Sequence, residues 1–253
     1  MADHHFWLTK AQFACLEPLL PNKPRGVPRV DYRRVISGIV HVIRNGLMWK
    51  DAPPVYGPHK TLYNRFVRWS QAGVFDRIFA ELATQSTAAD TVMIDATHLK
   101  AHRTAASGQK GAAPRRIGRT KGGLNSKLHA VCDGDGKPLI LLLTEGQISD
   151  YEGAKHVFGH LPLNANALIA DRGYDADWLR DALDERDITP CIHPRKNRVE
   201  PIPYDANLYK RRNLVERLFG RLKDWRRISM RYDRCAHTFM SAICIAATVI
   251  FWL

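Results

Sequence analysis

Three carboxylates stand where a phosphoryl-transfer site would need them. Asp95 follows the apolar run Val92, Met93, Ile94, and Asp171 follows Leu168, Ile169, Ala170. Each acid sits where a strand would leave a core, the place at which ligands collect in open α/β sheets. An unpaired acid facing a core costs several kcal/mol, so such residues pair with a cation or bind one. The third acid, Glu216, lies in the stretch from Tyr209 to Lys223. Read as a helix, that stretch brings Tyr209, Arg212, Glu216 and Lys223 close to one face. Leu214, Leu218, Leu222 and Trp225 form a separate anchoring stripe. Three carboxylates in a basic chain suit Mg²⁺, which takes a few carboxylates together with water and substrate phosphate. Two such ions could activate one oxygen and stabilise the leaving one.

Each piece also has a plainer reading. Glu216 alone could pair with Arg212 and Lys223 on a solvated face, at roughly 0.2–0.5 kcal/mol a pair. Asp171 before Arg172, Gly173 and Tyr174 could be a turn acid, with Asp175 the cap of the helix beyond. Taken together the three would repel one another without a cation, and that favours metal. His98 and His102 cannot share one side of a strand with Asp95, so packing or DNA contact suits them better than zinc.

Charge supports an acidic partner. The net charge is +13, and Arg195–Arg234 alone holds thirteen Lys/Arg against five Asp/Glu. Concentrated cations point first to nucleic acid. Arg195, Lys196 and Arg198 open that segment. A second basic stretch, Gly108–Lys127, holds Lys110, Arg115, Arg116, Arg119 and Lys121 with several glycines and no acid, and reads as a mobile loop that could approach phosphate. Five scattered cysteines without a C-x-x-C pair argue against disulfides or structural zinc and fit a reducing cytosol. Asp3, His4 and His5 do not resemble a signal peptide. The apolar run Phe239–Leu253 is shorter than the roughly 20 residues of a membrane span and reads as a buried terminal helix.

The elements that must position these groups fall into two parts. Residues 1–85 read as all-helical. Thr9 caps a first helix that stops at Pro21, Pro24, Gly26 and Pro28 mark a loop, Tyr32–Asn45 is periodic up to Gly46, and His59–Ala72 buries Leu62, Phe66 and Trp69. The other side of that last helix carries Lys60, Asn64, Arg65 and Arg68. A helix-turn-helix relative and a small wet-faced bundle both fit, and the nucleic-acid setting tips the reading toward DNA binding. Residues 90–253 read as α/β. Strands at Thr91–Leu99, Lys127–Cys132 and Pro138–Leu143 form an antiparallel meander around the turn Asp133-Gly-Asp-Gly136, with Ala167–Ala170 and Ile188–Ile192 as further strands. Helices are expected at Asp150–His160 and Asp175–Arg186.

These residues resemble a known family. Tyr209-x2-Arg212-x3-Glu216-x6-Lys223 is similar to the signature around the third acid of bacterial insertion-sequence transposases of the DDE type. Ile94–His102, Gly122–His129 and Ile169–Asp175 resemble the insertion-sequence-five family, over nearly the whole chain. The resemblance implies an RNase H-like catalytic domain, a mixed sheet of a three-strand antiparallel meander plus parallel strands, preceded by a small helical DNA-binding domain. It implies catalysis and metal binding by Asp95, Asp171 and Glu216 with two Mg²⁺, Mn²⁺ substituting. Tyr209, Arg212 and Lys223 would orient phosphates. The implied partner is double-stranded DNA, bound by a homodimer or higher oligomer in the bacterial cytoplasm at the nucleoid, with no membrane. Asp171 is followed by Arg-Gly-Tyr and not by the Arg-Glu-Ala-Asp of a better-studied branch, so hairpin ends are not implied. Rival readings are a silent DNA-binding regulator and a nuclease without strand transfer.

Overall fold

The computed structural model describes residues 5–21, 31–107, 114–200 and 202–253. Asp3, His4, the turn residues Pro24, Gly26 and Pro28, and Gly108 and Lys110 of the basic stretch lie outside the described residues. The chain forms two compact units. One comprises Met1–Leu82, His102–Arg115 and Leu222–Leu253, the other Ala83–Ala101 and Arg116–Arg221.

The first unit is helical. Thr9 starts α1 (Lys10–Leu16) with a capping box, its hydroxyl accepting from Gln12 N while the Gln12 side chain accepts from Thr9 N. The helix gives way early to a 3₁₀ turn, Glu17–Leu19, because Pro18 cannot continue the α ladder. Asp31 caps α2 (Tyr32–Asn45), which ends at Gly46 with φ 65, a left-handed cap that glycine takes at least cost. Short 3₁₀ turns at Trp49–Asp51 and Pro54–Tyr56 lead to α3 (His59–Gln71), which buries Leu62, Phe66 and Trp69. Then come α4 (Val74–Ala83) and the short α5 (Arg103–Ala106).

The second unit holds the sheet: β1 (Thr91–Ala101), β2 (Gly118–Thr120), β3 (Gly123–Cys132), β4 (Pro138–Glu145), β5 (Ala167–Ala170) and β6 (Thr189–Ile192). β1, β3 and β4 form the antiparallel meander, and β5 and β6 add in parallel beside β1. This is the mixed, RNase H-like arrangement expected. The turn between β3 and β4 is held by Asp133, whose Oδ1 accepts from the amides of Asp135 and Lys137. One expectation changes. The described end of the basic stretch is no loop but a hairpin, β2 pairing with β3 from Gly118↔Asn125 to Thr120↔Gly123. Gly123 takes φ 93 at its turn, Asn125 donates to Thr120, and Lys127 is buried within β3.

One face of the sheet is covered by α6 (Asp150–Phe158) and α7 (Asp177–Asp184), and the core joins Val92, Ile94, Val131, Ala154, Val157, Leu168, Ala170, Leu179 and Leu183. Within it α6 comes very close to the sheet at Gly153, where a Cβ would run into the His129 imidazole. The Tyr209 segment is not one helix. α8 (Ala206–Tyr209) passes through a 3₁₀ turn, Lys210–Arg212, into α9 (Asn213–Lys223). The buried stripe of α9 is Val215, Leu218, Phe219 and Leu222, with Leu214 only half-buried.

The chain then returns to the helical unit with α10 (Arg226–Ser229) and α11 (Ala236–Ala247), prolonged by a π-helical turn, Thr248–Trp252. Phe239, Ala242, Ile243 and Ala246 are fully buried, so the terminal run is a core helix as expected. No helix among the described residues is long and apolar enough to cross a membrane.

Candidate functional site

The site grows from the register of two parallel strands. Ile94 pairs with Ala170, so the next residues, Asp95 and Asp171, emerge side by side. Asp95 lies opposite Ala130, on the face away from Ile94, Val131 and α6. Asp171 Oδ1 accepts from Gly173 N at 2.8 Å and closes the turn Arg172–Tyr174. Arg212 then ties the first acid to the third. Its Nη1 donates to Asp95 Oδ2 at 2.7 Å and its Nη2 to Glu216 Oε1. Burial pushes the Asp95 carboxyl up to about 6. The Ala96 amide and Arg212 pull it down, and Asp171 and Asp150 push it further up.

Asp150 was expected only to begin a helix. It is the first residue of α6, and its Oδ1 lies 2.7 Å from Lys127 Nζ. Its Oδ2 faces Gly173, where a Cβ would fall 3.1 Å from it and 2.9 Å from Asp171 Oδ1. The buried Tyr174 phenol is raised first by desolvation and then by Asp150, Asp95 and Asp171. Its hydroxyl has no hydrogen-bond partner among the described residues. The sequence signal that could have exposed Asp150 is the lysine of β3 at a position that faces the same helix.

Asp175 is not a helix cap. The N-cap of α7 is Ala176, and Asp175 is buried under Arg180, Arg198 and the Arg195 amide. Burial alone would raise its carboxyl, but those three donors outweigh it and hold it at about 2.

The remaining candidates scatter. Tyr209 packs against Tyr204 and His193, and its phenol is raised by burial, with Arg212 and Asp171 among the charges it feels. Lys223 ends α9, and desolvation lowers its ammonium. Arg119, Lys121 and Lys196 are exposed, while Arg116 pairs with Glu145 at 3.2 Å. Arg115 donates to Ala106 O, Arg195 to Arg172 O, and Arg198 to Asp175 and Asp177. On α3, Lys60, Asn64 and Arg68 are exposed, whereas Arg65 lies over Tyr32 and Trp69. Arg227 and Arg231, in the basic segment, are buried and internally bonded. Arg227 grips Asp233 with two nitrogens and Arg231 donates to the carbonyls of Asp233 and Arg115. Both side chains are buried, out of reach of a phosphate at the surface. His98 bonds Gly146 O, and His102 stacks on Tyr232.

Among the described residues no three His, Cys, Asp or Glu side chains form a ready metal seat. The donors nonetheless fit a hard divalent cation in type, all being carboxylate oxygens. Protein cations now hold them, Arg212 on Asp95 and Glu216, and Lys127 on Asp150.

Comparison with known proteins gives the class. Two models described as "Transposase DDE domain" match residues 86–203 and 168–253, and one described as "Putative transposase of IS4/5 family" matches 8–79. The catalytic part is that of a DDE transposase, an enzyme class that cleaves and transfers DNA ends and works with divalent metal ions. A "putative transposase for insertion sequence element IS6501" of Brucella ovis is 34% identical over 133 residues, 51% of this chain and 99% of that protein. A "putative transposase for insertion sequence element IS402" of Burkholderia cepacia is 31% identical over 156 residues, 54% of this chain and 72% of that protein. The chain belongs to the insertion-sequence transposases of the IS4/5 family. A pre-cleavage Mos1 transpososome crystal structure covers 89% of this chain and 79% of its own with a TM-score of 0.28 and 10% identity, too little to carry an argument.

Proposed function

We propose that Asp95, Asp171 and Glu216 are the catalytic acids and hold two Mg²⁺, with Mn²⁺ able to replace them. The observation that carries this reading is the single Arg212 guanidinium joining Asp95 to Glu216 while Asp171 stands beside Asp95 on the neighbouring strand. Bound divalent ions would activate the attacking oxygen and offset charge on the leaving one.

The protein's own groups do the rest. Arg212, once exchanged from the acids, and Tyr209 and Lys223 orient the scissile or flanking phosphates. Water attacks phosphorus, the P–O3′ bond breaks, and the 3′-oxygen leaves and takes a proton. That 3′-hydroxyl, losing its proton, then attacks a target phosphodiester, and the strand it displaces departs as a new 3′-hydroxyl. Arg115, Arg116, Arg119, Lys121, Arg195, Lys196 and Arg198 are read as backbone contacts, giving sequence-independent affinity. Residues 1–85 are read as the part that recognises terminal inverted repeats, through Lys60, Asn64, Arg65 and Arg68, and 90–253 as the catalytic part. Two ends must be joined to one target, so a homodimer or higher oligomer on bacterial chromosomal DNA in the cytoplasm is the working form.

The test uses labelled duplexes carrying the ends of the flanking element. Asp95→Ala, Asp171→Ala and Glu216→Ala should each reduce Mg²⁺-dependent cleavage to background while duplex binding persists. Strong residual cleavage in one of them removes that residue from the set.

A further inference from the structure

Asp150 has more than helix chemistry to do. The N-cap of α6 is already Ser149, whose hydroxyl accepts from Glu152 N at 3.2 Å, and Glu152 supplies a second acid to the first turn. Asp150 is left over. It has drawn a lysine out of water: strand alternation places Lys127 on the same face as Val131, which packs with α6, and the Lys127 side chain is only 9% exposed. Burying an ammonium is costly unless it is paired and bonded. Here it donates to Ile148 O at 3.1 Å and meets Asp150 Oδ1 at 2.7 Å.

The other oxygen of Asp150 is turned elsewhere. Oδ2 flanks Gly173 together with Asp171 Oδ1, the two oxygens lying 3.1 and 2.9 Å from where a Cβ of residue 173 would sit. Like charges so placed repel unless a positive charge is shared. A second observation points to a polar occupant. Tyr174 is 1% exposed, its hydroxyl is unpartnered among the described residues, and it feels the charges of Asp150, Asp95 and Asp171, opposed by Arg212. Buried hydroxyls are nearly always satisfied, so an orphan in the field of three carboxylates points to water or an ion's hydration shell.

We infer that Asp150 is a fourth carboxylate of the site, sharing a divalent cation with Asp171, and that Lys127 is its exchangeable internal counter-charge. The inference rests on the metal-binding reading above and names a further donor for it. Lys127 then plays toward Asp150 the part that Arg212 plays toward Asp95 and Glu216.

The experiment is calorimetric titration of the full chain with Mn²⁺ alone, without DNA, alongside melting temperatures in the absence of metal. Asp150→Asn should weaken Mn²⁺ binding about tenfold or more, the scale seen when support of a metal site is removed. Lys127→Met should tighten it, because a competing ammonium is gone. A merely structural pair would shift melting in both variants and leave Mn²⁺ affinity alone. Asp171→Asn is the reference. If it weakens binding while Asp150→Asn does not, the fourth carboxylate is refuted and the metal reading stands. Should Asp171→Asn also leave binding unchanged, the metal reading itself falls. Weaker binding in Lys127→Met would overturn the exchange. Asp150→Asn leaves the 9% exposed Lys127 without its counter-charge, so the double variant Asp150→Asn/Lys127→Met, which removes both charges, is titrated as well. It should also bind Mn²⁺ more weakly than the unaltered chain, and unchanged affinity there refutes the fourth carboxylate even if a single variant does not fold.

Discussion

Asp95 and Asp175 are both largely buried acids of the sheet unit, yet their environments drive them in opposite directions. Asp175 is saturated: Arg180 and Arg198 take its oxygens, the Arg195 amide adds a third donor, and its carboxyl is held at about 2. Asp95 has one guanidinium shared with Glu216, two acids nearby, and a carboxyl pushed up to about 6, chiefly by burial. The difference separates two uses of the same side chain. An acid that holds a fold together is matched by the protein's own donors. On the metal-binding reading proposed above, Asp95 is left under-neutralised for an external cation, and the unbound protein is less stable for it.

The largest effect should come from the saturated acid. Asp175→Asn leaves Arg180 buried without its counter-charge and is expected to cost about 3–5 kcal/mol in urea unfolding. A loss below about 1 kcal/mol would show that the knot is not structural. The pH dependence runs the same way. The folded carboxyl is lower than the unfolded one, so its contribution, about 2 kcal/mol, is present above pH 4 and lost as pH falls toward 2.

Asp95 reverses the sign. Its folded carboxyl binds a proton more tightly than the unfolded chain does, so stability should fall by on the order of 2 kcal/mol as pH rises from about 4 to about 6 in metal-free buffer. Asp95→Asn should remove that slope, read as the difference between the two proteins' unfolding curves across this window. Parallel curves would erase the contrast with Asp175. Lys223 offers the smallest change in stability. Lys223→Ala should leave the melting temperature nearly unchanged yet slow cleavage of end-bearing duplex. Lys223→Arg should restore only part of the rate, since a planar fork does not replace a compact ammonium. Unchanged cleavage in both would leave that residue without a part in the chemistry.

Much of the scaffold was legible because its signals are local. The apolar runs before Asp95 and Asp171, the Asp-Gly turn after Cys132, and Gly46 closing α2 each state their structure within a few residues. The proposed acids could be picked out in the sequence, but the groups that pair with them could not. Arg212 reaches Asp95 across 117 positions, and no periodicity encodes such a pairing. Helical phasing aligned Tyr209 with Glu216 on one face, but a 3₁₀ turn at Lys210–Arg212 intervenes. Lys127 closes a glycine-rich basic stretch, where a lysine looks solvated. Its burial is decided by which face of β3 meets α6. Asp175 looks like a cap because two of the three residues that claim it, Arg195 and Arg198, lie 20 and 23 positions away.

The glycine of α6 has a consequence for how sequences of this fold can drift. The imidazole of His129 occupies the space a methyl at position 153 would need, so the gap between helix and sheet is one ring thick. Asp150 stands one turn upstream, and its height above the strands is therefore set by the pair His129 and Gly153. The two positions share a constant volume. A relative with a smaller residue at the histidine position has room for a side chain at the glycine, whereas enlarging either alone would lift the acid's end of the helix away from its neighbours.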